Sequence, residues 1–338
     1  MVNDDLILLG HGSGGVLSHK LLSDLIIPAL SGTPLSGQDD AAVIECNGRQ
    51  LAFTTDSYVV DPIFFPGGDI GCLAVNGTVN DLSMVGATPL FISCGLIIEE
   101  GFSRRDLSLI VASMRRAADE AGVRIVTGDT KVVPRGKADR IFINTAGIGV
   151  FDGRVSLSGA NARPGDKVIV SGTIGDHGIA VMAAREGLSL ATEIQSDCAA
   201  LNGLVREMLS AAGDAVRVLR DPTRGGVATT IKEIALQSGV TITLDEAQLP
   251  VDPAVCGVCA ILGLDPLYVA NEGKLLAVVS PDAASGLLEI MRQQPLGKDS
   301  AIIGEVSAAG GGRVQMKTAV GGIRSVEMLA GEQLPRIC

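Results

Sequence analysis

The chain has 338 residues, of which 46% are hydrophobic and 3% aromatic, and it carries a formal charge of −11. This length suits two ordinary domains, each with its own core. An acidic chain without a Lys/Arg-rich stripe would be repelled by a phosphate backbone, which excludes nucleic acid as a partner. No apolar run approaches a membrane span of about 18 residues, and the start lacks the positive charge of a signal peptide, so we expect a cytoplasmic protein without a membrane partner.

The seven cysteines are an odd number, which favours reduced thiols over a disulfide framework. Cys256 and Cys259 have the spacing of half a zinc site, but no second Cys or His pair matches it, and a buried helix is the favoured interpretation. Cys338 differs because it is the last residue and follows a Pro-containing stretch without periodicity, which predicts an accessible thiol on a mobile tail. The cysteines predicted to be small core residues are Cys46, Cys72, Cys94 and Cys198.

In chain order, the first half alternates between strands and helices. A glycine-rich segment, LGHGSGG, precedes a helix-like stretch, and AAVIEC and QLAFTTDS are predicted strands. DIGCLAVNGTVNDLSMVGA is predicted to form a helix with small residues on one side. Ser103 is the predicted N-cap of an amphipathic helix that ends at Gly122. The strand VRIVT is predicted to stop at Gly128, and the strand IFINTAGIGV closes this half.

The second half repeats the alternation. It contains the strand DKVIV, a glycine turn at GTIGDHG, the strand VRVLR, the loop DPTRGG, a further helix and the strand VTITL. Glycine loops at strand ends are common ligand sites in α/β proteins. We therefore predict an α/β (or α+β) fold with two domains, at residues 1–155 and 156–325, and a tail at residues 326–338.

Aspartates recur at the edges of apolar elements in the first half. One such Asp is usually a turn former or a helix cap. Several facing one another repel unless a cation lies between them, and hard oxygen ligands suit Mg²⁺ held together with substrate phosphates. The pattern predicts a metal–nucleotide site, with backbone N–H groups of segments 10–15 and 221–226, and the charges of Arg224 and Lys131, on the phosphates. There is no Walker motif. These aspartates are Asp39, Asp40, Asp56, Asp81 and Asp129.

Two further turns contain ionisable side chains, Glu272 in NEG and His177 in GDHG. In both places the simplest interpretation is a polar residue whose hydrogen bonds are satisfied within its own turn. Spacing alone assigns neither residue a part in chemistry.

Eight motifs, in this order, resemble the HypE family of hydrogenase-maturation proteins. They are HGSGG, TDSYVVDPIFFPGGDIG, NGTVNDLSMVGATP, TGDTKVV, SGTIGDHG, RDPTRGGV, NEGKL and a terminal PRIC, and they extend over nearly the whole chain. NDL-x-x-x-GA and DPTRGG are shared with aminoimidazole ribonucleotide synthetase, selenophosphate synthetase and thiamine-monophosphate kinase, and indicate ATP chemistry alone. The PRIC terminus selects the HypE family. Where many relatives have Gly-Asp-Asp-Ala-Ala, this chain reads Gly37-Gln38-Asp39-Asp40-Ala41-Ala42, which leaves open which Asp faces the metal.

The resemblance implies a two-domain PurM-like fold, a homodimer formed through the N-terminal sheets, and ATP with Mg²⁺ in the cleft between domains and subunits. The implied activity is ATP-dependent dehydration of an S-carbamoyl group on Cys338 to a thiocyanate, with Glu272 as the base and Lys131 as an electrostatic helper. The implied partners are HypF, a carbamoyltransferase, and the HypC–HypD complex, which receives cyanide for the iron of a nickel–iron hydrogenase. The implied metal ligands are the five aspartates above. The implied nucleotide-binding residues are Gly12, Gly14, Gly15, Asp56, Asn80, Thr130, Arg224, Gly225 and Gly226.

Two alternatives stay open at this point. One is an ATP-dependent enzyme of the same superfamily that activates a diffusible small molecule, with Cys338 incidental. The other is a non-catalytic, nucleotide-responsive carrier that holds the carbamoyl group while a partner does the chemistry. Loss of turnover without the tail would argue against the first, and ATP hydrolysis by the carbamoylated protein alone would argue against the second.

Overall fold

The computed structural model describes residues 6–30, 39–153, 156–188, 194–331, 334 and 336–338. The predicted domain boundary near residue 155, and Gly37 and Gln38, lie outside these ranges. The architecture is α/β, with one large sheet in each half of the chain. Within the described residues, none of the helices is long and apolar enough to cross a membrane.

The first half contains most of its helix in two long elements. After a 3-10 turn (Leu9–Gly12), α1 continues through a π-helical stretch (Leu22–Ile26) into α2. The bounds are α1 (Val16–Leu21), α2 (Ile27–Ala29), α3 (Ile70–Met84) and α4 (Arg104–Ala121) for the helices, and β1 (Ala42–Cys46), β2 (Arg49–Tyr58), β3 (Phe64–Phe65), β4 (Gly68–Asp69), β5 (Thr88–Glu99), β6 (Arg124–Val133) and β7 (Ile141–Val150) for the strands.

The second half is built from shorter strands and more helices. The helices are α5 (Asp176–Glu186), α6 (Asn202–Ala212), α7 (Gly226–Ser238), α8 (Pro253–Leu262) and α9 (Pro281–Arg292). The strands are β8 (Lys167–Val170), β9 (Val216–Arg220), β10 (Val240–Asp245), β11 (Leu276–Val279), β12 (Ala301–Ala309), β13 (Arg313–Lys317) and β14 (Ile323–Ser325).

Both sheets are mainly antiparallel. The first has the strand order β1-β2-β7-β5-β6, in which only β5 and β6 run parallel. The second has the order β14-β13-β10-β12-β8-β11-β9, in which only β10 and β13 run parallel. Strands β3 and β4 form a separate hairpin that leads directly into α3.

Helix α3 is the central element of the molecule. Every one of its residues is buried except Asp81, so the helix is enclosed by protein nearly all round, with polar as well as apolar side chains inside. It packs on β2, β5 and β7 of the first sheet and on α4, and it also contacts α6 and β9 of the second half. Its N-cap, Asp69, accepts hydrogen bonds from the N–H groups of Gly71 (2.7 Å) and Cys72 (3.2 Å).

Helix α4 confirms the predicted amphipathic helix. The Ser103 hydroxyl accepts from the N–H of Asp106 at 3.3 Å, and Gly122 ends the helix with a left-handed φ of 72°. The strand that follows was predicted to stop at Gly128, and this was wrong. Strand β6 continues to Val133, pairing in parallel with β5, because residues 128–133 gain a full ladder of backbone hydrogen bonds there.

The cysteines are less uniformly buried than their apolar neighbourhoods predicted. Cys72 is buried, and Cys94 and Cys198 are half-buried, but Cys46 is exposed in the terminal strand β1. Cys256 is also exposed, and Ile261 on the same helix is 82% exposed. Helix α8 is therefore a surface helix with one covered face rather than a buried one.

The two chain ends pack on the halves opposite to their own. Near the start, the N–H of Val16 donates to the carbonyl of Leu329 at 3.0 Å, which ties the glycine-rich segment to the second half. Near the end, Ile337 is 3% exposed and joins the core of the first half. The tail was predicted to be mobile; its described residues are instead docked, because they gain apolar burial and backbone hydrogen bonds there.

Candidate active site

A cavity of about 230 Å³ opens between the two halves of the chain. In the first half, its walls come from strand β2 and helix α3. In the second half, they come from the loop that follows β9, from the turn before β11 and from the tail. The lining is strongly acidic. It consists of Asp40, Thr54, Thr55, Asp56, Gly77, Asp81, Asp221, Thr223, Arg224, Glu272 and Cys338.

The first-half carboxylates are held by the sheet and by α3. Asp56 lies near the end of β2 and accepts from the N–H of Ser57 at 2.7 Å. Asp81 is the one residue of α3 that is not buried, and it lines the cavity together with Gly77 of the same helix. The Thr54 hydroxyl lies 2.8 Å from Oδ2 of Asp81 and 3.1 Å from the carbonyl of Asp40, and so connects the two acidic residues.

Asp40 is supported from below by a buried arginine of the second half. The Nε of Arg220 lies 2.8 Å from Oδ1 of Asp40, and its Nη2 donates to Glu233 at 2.8 Å. Glu233 also pairs with His19 of α1 at 2.8 Å. Burial opposes the charge of Arg220, but Asp40 and Glu233 raise its pKa, so the guanidinium stays charged. The other oxygen of Asp40, Oδ2, is buried and has no hydrogen-bond partner among the described residues.

The carboxyl groups raise one another's pKa values. Burial raises the pKa of Asp81 well above its usual value, and Asp221, Asp56 and Asp40 add to this. Burial likewise raises the pKa of Asp221 to about 6, although Arg220 opposes the shift. Carboxylates in this arrangement are stabilised by a cation or by protonation.

Glu272 is placed by a network that crosses the cleft. It is 4% exposed. Its backbone N–H donates to Oδ1 of Asp197 at 3.1 Å, while Lys274 pairs with Oδ2 of the same residue at 3.1 Å. Burial, then Asp221, raises the pKa of Glu272 well above its usual value, and its Oε1 is a buried atom without a partner in the described structure.

Asn80, on α3, connects the first half to the backbone of the second half. Its Nδ2 donates to the carbonyls of Ala199 at 3.0 Å and Glu272 at 3.3 Å, and its Oδ1 accepts from the N–H of Leu201 at 2.8 Å. These three hydrogen bonds hold the turn of Glu272 against α3, and the assignment of Asn80 to nucleotide binding stays a prediction.

The tail brings Cys338 into the same cavity. The N–H of Val59, just after β2, donates to the carbonyl of Cys338 at 3.0 Å. Burial raises the pKa of the thiol far above its usual value; Arg224 opposes the shift, and Glu272 adds to it. The docked thiol is therefore protonated, and as such it is not a nucleophile.

The glycine segments line or border the cavity. Gly12, Arg224, Gly225 and Cys338 line an adjoining pocket, and Nη1 of Arg224 donates to the carbonyl of Gly12 at 2.9 Å. Gly14 has a φ of 77°, and a Cβ there would lie 2.9 Å from that of Arg224. Two other glycines allow equally close backbone packing, Gly15 against the carbonyl of Leu329 and Gly226 against that of Leu267.

Four predicted site residues lie elsewhere in the single chain. Asp39 accepts from the N–H of Gly159 at 2.8 Å, so of the two neighbouring aspartates it is Asp40 that lines the cavity. Asp129 and Lys131 lie on the exposed strand β6, where they pair with each other at 2.6 Å. Thr130 lies between them, and its N–H donates to Oδ1 of Asp129 at 2.9 Å.

Sequence reasoning missed several residues that build the site. Asp221 carried a signal, because it begins the DPTRGG loop immediately after a strand. Arg220, Glu233 and Asp197 carried none, since each is an ordinary charged residue until the fold brings its partner to it. Thr54 was read only as part of a strand.

The cavity suits a metal held with phosphates better than a metal held by protein alone. Within the described ranges, no group of three or more His, Cys, Asp or Glu side chains is arranged to hold a metal ion. Magnesium is usually bound by one or two carboxylates together with substrate phosphates and water. The unpartnered Oδ2 of Asp40 and the carboxyls of Asp56 and Asp81 fit this use, and Arg224 provides positive charge beside them.

The two halves of the chain match two models of one domain family. Residues 38–151 match the N-terminal domain of AIR synthase related proteins, and residues 163–317 match the C-terminal domain. The fold and the acidic cleft thus define a two-domain protein of the AIR synthase related class, that is, of PurM-like fold.

Within this class, the chain is about half identical in sequence to proteins named HypE. A carbamoyl dehydratase HypE from Bradyrhizobium diazoefficiens is 52% identical over 337 residues, covering 100% of this chain and 97% of the relative. The HypE of a HypE–HypF complex is 51% identical, with a TM-score of 0.86, over 91% of this chain and 99% of that one. HypE in complex with ATP is 51% identical, with a TM-score of 0.83, over 98% and 100% of the two chains. This chain belongs to the HypE family.

The raised pKa of Asp221 predicts a pH-dependent cost in stability. Because the folded-state pKa of about 6 exceeds the unfolded value near 3.8, the folded protein binds this proton more tightly. The stabilisation that this tighter proton binding gives to the folded protein is fully present below about pH 4 and is lost as the pH rises through about 6. Asp221→Asn should therefore gain stability relative to the wild type between pH 4.5 and pH 7, by on the order of 2 kcal/mol.

The measurement is the melting temperature of each protein, without nucleotide or metal, at both pH values. Asp282→Asn, at an exposed position, is the matched control and should show no such pH-dependent gain. An equal difference between Asp221→Asn and the wild type at the two pH values would contradict the electrostatic assignment.

Proposed function

We propose that this chain is an ATP-dependent carbamoyl dehydratase, which converts an S-carbamoyl group on Cys338 to a thiocyanate. The observation that carries the proposal is the docked tail, which places Cys338 in one cavity with Glu272, Arg224 and the carboxylates. Relatives that are named carbamoyl dehydratase HypE, and structures of HypE in complex with ATP and with HypF, support it.

The chemical difficulty is the leaving group. A thiocarbamate, S–C(=O)–NH₂, can become S–C≡N only by losing its oxygen, and hydroxide leaves poorly. Transfer of the γ-phosphoryl group of ATP to the carbonyl oxygen releases ADP and turns that oxygen into part of a good leaving group. Loss of the nitrogen protons and departure of phosphate then give the thiocyanate.

Glu272 is the proposed base for a nitrogen proton. Its carboxyl lines the cavity that receives Cys338, and its unpartnered Oε1 is buried beside the reacting group. A raised pKa brings a carboxylate closer to the range in which a general base works near neutral pH. Arg224 opposes the rise in the pKa of Glu272 and so favours its ionised form.

The phosphates need donors and positive charge. Arg224 and the backbone at Gly225 and Gly226, where α7 begins, are the proposed phosphate contacts, since a helix N-terminus favours negative charge. Gly12, Gly14 and Gly15 bring a second backbone segment against Arg224. Magnesium, held by Asp40, Asp56 and Asp81, would supply charge neutralisation at the phosphates. Asp39 is turned away from this set.

The docked tail favours this function over both alternatives. An enzyme for a diffusible small molecule would leave Cys338 outside its cavity, whereas here the residue forms part of the wall. A passive carrier would have no use for a buried carboxyl without a partner beside the carried group, because such a group is costly to bury.

Loading of the carbamoyl group must take place with the tail released. In the docked position the thiol is protonated and shielded, so it cannot attack an acyl donor. The tail would then accept the carbamoyl group at HypF, return for dehydration, and deliver cyanide to the HypC–HypD complex for a hydrogenase iron. The reduced thiols are consistent with a cytoplasmic setting.

The first sheet offers a face for a homodimer. The pairing register places Phe53, Phe91, Ile97, Phe142 and Ile148 on the face opposite α3. Three of them are more than one-third exposed, at 41% for Phe53, 44% for Ile97 and 40% for Ile148. An apolar sheet face of this kind marks an interaction site. A second copy packed on it would cover strand β6 and bring the partner's Lys131 and Asp129 toward the cavity.

Cys338 should be the only attachment point of the carbamoyl group. Cys338→Ala should bind ATP and dimerise as the wild type does, yet acquire neither a carbamoyl nor a cyano adduct, because it lacks the sulfur that carries them. Intact mass and peptide mapping after incubation with HypF and ATP test this. Cys46→Ala, at an exposed thiol, is the control and should be modified normally. An adduct on another cysteine would refute the proposal.

Glu272→Gln should separate loading from dehydration. The amide keeps the shape of the side chain but loses the basic oxygen, so the carbamoyl form should accumulate. The rate of thiocyanate formation should fall by about 10²-fold or more. The time course of intact mass after ATP addition gives both rates. Wild-type dehydration by this variant would exclude Glu272 as an essential base.

Lys131 is proposed to act across the dimer interface, and mixed dimers test this directly. Lys131→Ala and Glu272→Gln homodimers should each be slow. If each site combines the two chains, random mixing should restore about a quarter of wild-type turnover, since half of the dimers then contain one intact site. Adding Ile148→Asp to both partners should abolish dimerisation, seen by sedimentation, and with it the recovery. No recovery in freely exchanging dimers would place Lys131 outside the partner's site.

A further inference from the structure

The last residues of the chain lie alongside the segment that follows β2. The N–H of Val59 donates to the carbonyl of Cys338 at 3.0 Å, and the N–H of Asp61 donates to that of Arg336 at 3.2 Å. Nε of Arg336 donates in turn to the carbonyl of Val59 at 2.9 Å. The tail is thus fixed to the first half through its backbone.

The carbonyl of Ile337, between these two, is bonded from the other side. Its oxygen lies 2.8 Å from Nε2 of His177, at the start of α5. The imidazole is completely buried. Its other nitrogen, Nδ1, lies 2.8 Å from the hydroxyl of Ser196, and its ring stands edge-on to Phe65 with the centroids 5.4 Å apart.

These partners define how the histidine uses its proton. A carbonyl oxygen can only accept, so Nε2 is the protonated nitrogen and donates to Ile337. Nδ1 is then the acceptor, and the Ser196 hydroxyl donates to it. Ser196 Oγ accepts from the N–H of Cys198 at 3.1 Å, which orients the hydroxyl. Burial lowers the pKa of His177, with an opposing effect from Asp197, so the neutral ring persists at neutral pH.

We infer that His177 is a positioning residue for the reacting cysteine: it holds the residue next to Cys338 by its backbone and so sets how much of the protein has its tail in the cavity. This rests on the proposed function only for its consequence in turnover; the docking itself can be measured without any reaction. His177 lies on α5 and Ile337 on the tail, and neither contact uses the thiol. The same device therefore serves the free, carbamoylated and cyanated forms of Cys338.

Loss of the His177 hydrogen bond should therefore affect loading and dehydration, the two steps of the proposed cycle, differently. Weakening the bond should leave loading of the tail outside the cavity unchanged or faster, because more tails are released. It should slow dehydration in proportion to the lost docked fraction. A residue needed only for folding would lower both together.

The first experiment measures the exposure of the thiol. Each protein is treated with limiting iodoacetamide, and peptide mapping gives the rate at Cys338 relative to that at Cys46 in the same chain. His177→Asn cannot place a donor at the position of Nε2, so the ratio should rise about tenfold, as expected when one buried hydrogen bond is lost. His177→Gln can place its amide donor there, and should stay within about twofold of the wild type.

A second variant guards against a folding defect at position 177. Ser196→Ala keeps the imidazole but removes the hydroxyl that fixes its tautomer, so it should raise the Cys338 ratio by less than His177→Asn does. Binding of a fluorescent ATP analogue and the melting temperature are followed in all variants. An unchanged ratio in both His177→Asn and Ser196→Ala, or equal increases in His177→Asn and His177→Gln, would overturn the inference.

The second experiment connects docking to turnover. Carbamoyl loading by HypF and subsequent dehydration are timed separately by intact mass, and only dehydration should slow in His177→Asn. Equal slowing of both steps would reduce His177 to a structural role. If the alkylation ratios shift as expected but the wild type forms no thiocyanate, the proposed function fails and the positioning role stands.

Discussion

The mutual repulsion of buried carboxyl groups is the constraint on which the rest of the site depends. Asp40, Asp56, Asp81, Asp221 and Glu272 line one cavity, and burial with too few counterions raises their pKa values. Only two guanidinium groups of the described residues oppose this, that of Arg220 beneath Asp40 and that of Arg224 at the rim. The arrangement is costly while these groups lack a counter-charge, and the proposed metal–nucleotide site would make use of that cost.

The same constraint explains the docked cysteine. A thiol in this field stays protonated, because its thiolate would add one more buried negative charge beside the carboxyl groups. Under the proposed function, the uncharged carbamoyl derivative would meet no such repulsion, and the choice between loading and dehydration would follow from the position of the tail rather than from a change in the thiol's intrinsic chemistry. Hydrogen bonds to the tail backbone are suited to this, because they do not depend on what the sulfur carries.

Much of the fold could be predicted from the sequence, because its signals are local. The N-cap at Ser103 and the left-handed glycine at 122 mark α4, and the alternation in IFINTAGIGV marks β7. Strand β6 was cut short because Gly128 and Asp129 are poor strand residues on their own; their pairing with β5 is a tertiary effect. Cys46 was placed in the core because an apolar neighbourhood does not show that β1 is a terminal strand.

The site was harder to predict than the fold, because the contacts that build it, like the pairing of β6 with β5, are tertiary. Asp56, Asp81 and Glu272 interrupt apolar or glycine-rich patterns and so attract notice. Asn80 does too, but its side chain makes three hydrogen bonds to backbone groups far away in sequence, at residues 199, 201 and 272. Asp197 and Arg220 interrupt nothing, and only the contacts made by the fold reveal them.

The exchange of chain ends bears on how this protein is made. The N–H of Val16 donates to the carbonyl of Leu329, and that of Val59 to the carbonyl of Cys338, so these contacts of the first half form only after residues 329 and 338 have been synthesised. Asp40, meanwhile, has its charge partner at Arg220, some 180 residues later. A nascent first half would expose clustered carboxylates without counterions and an apolar sheet face. The two sheets are thus best regarded as a single cooperative unit, in which late contacts of high sequence separation complete the structure.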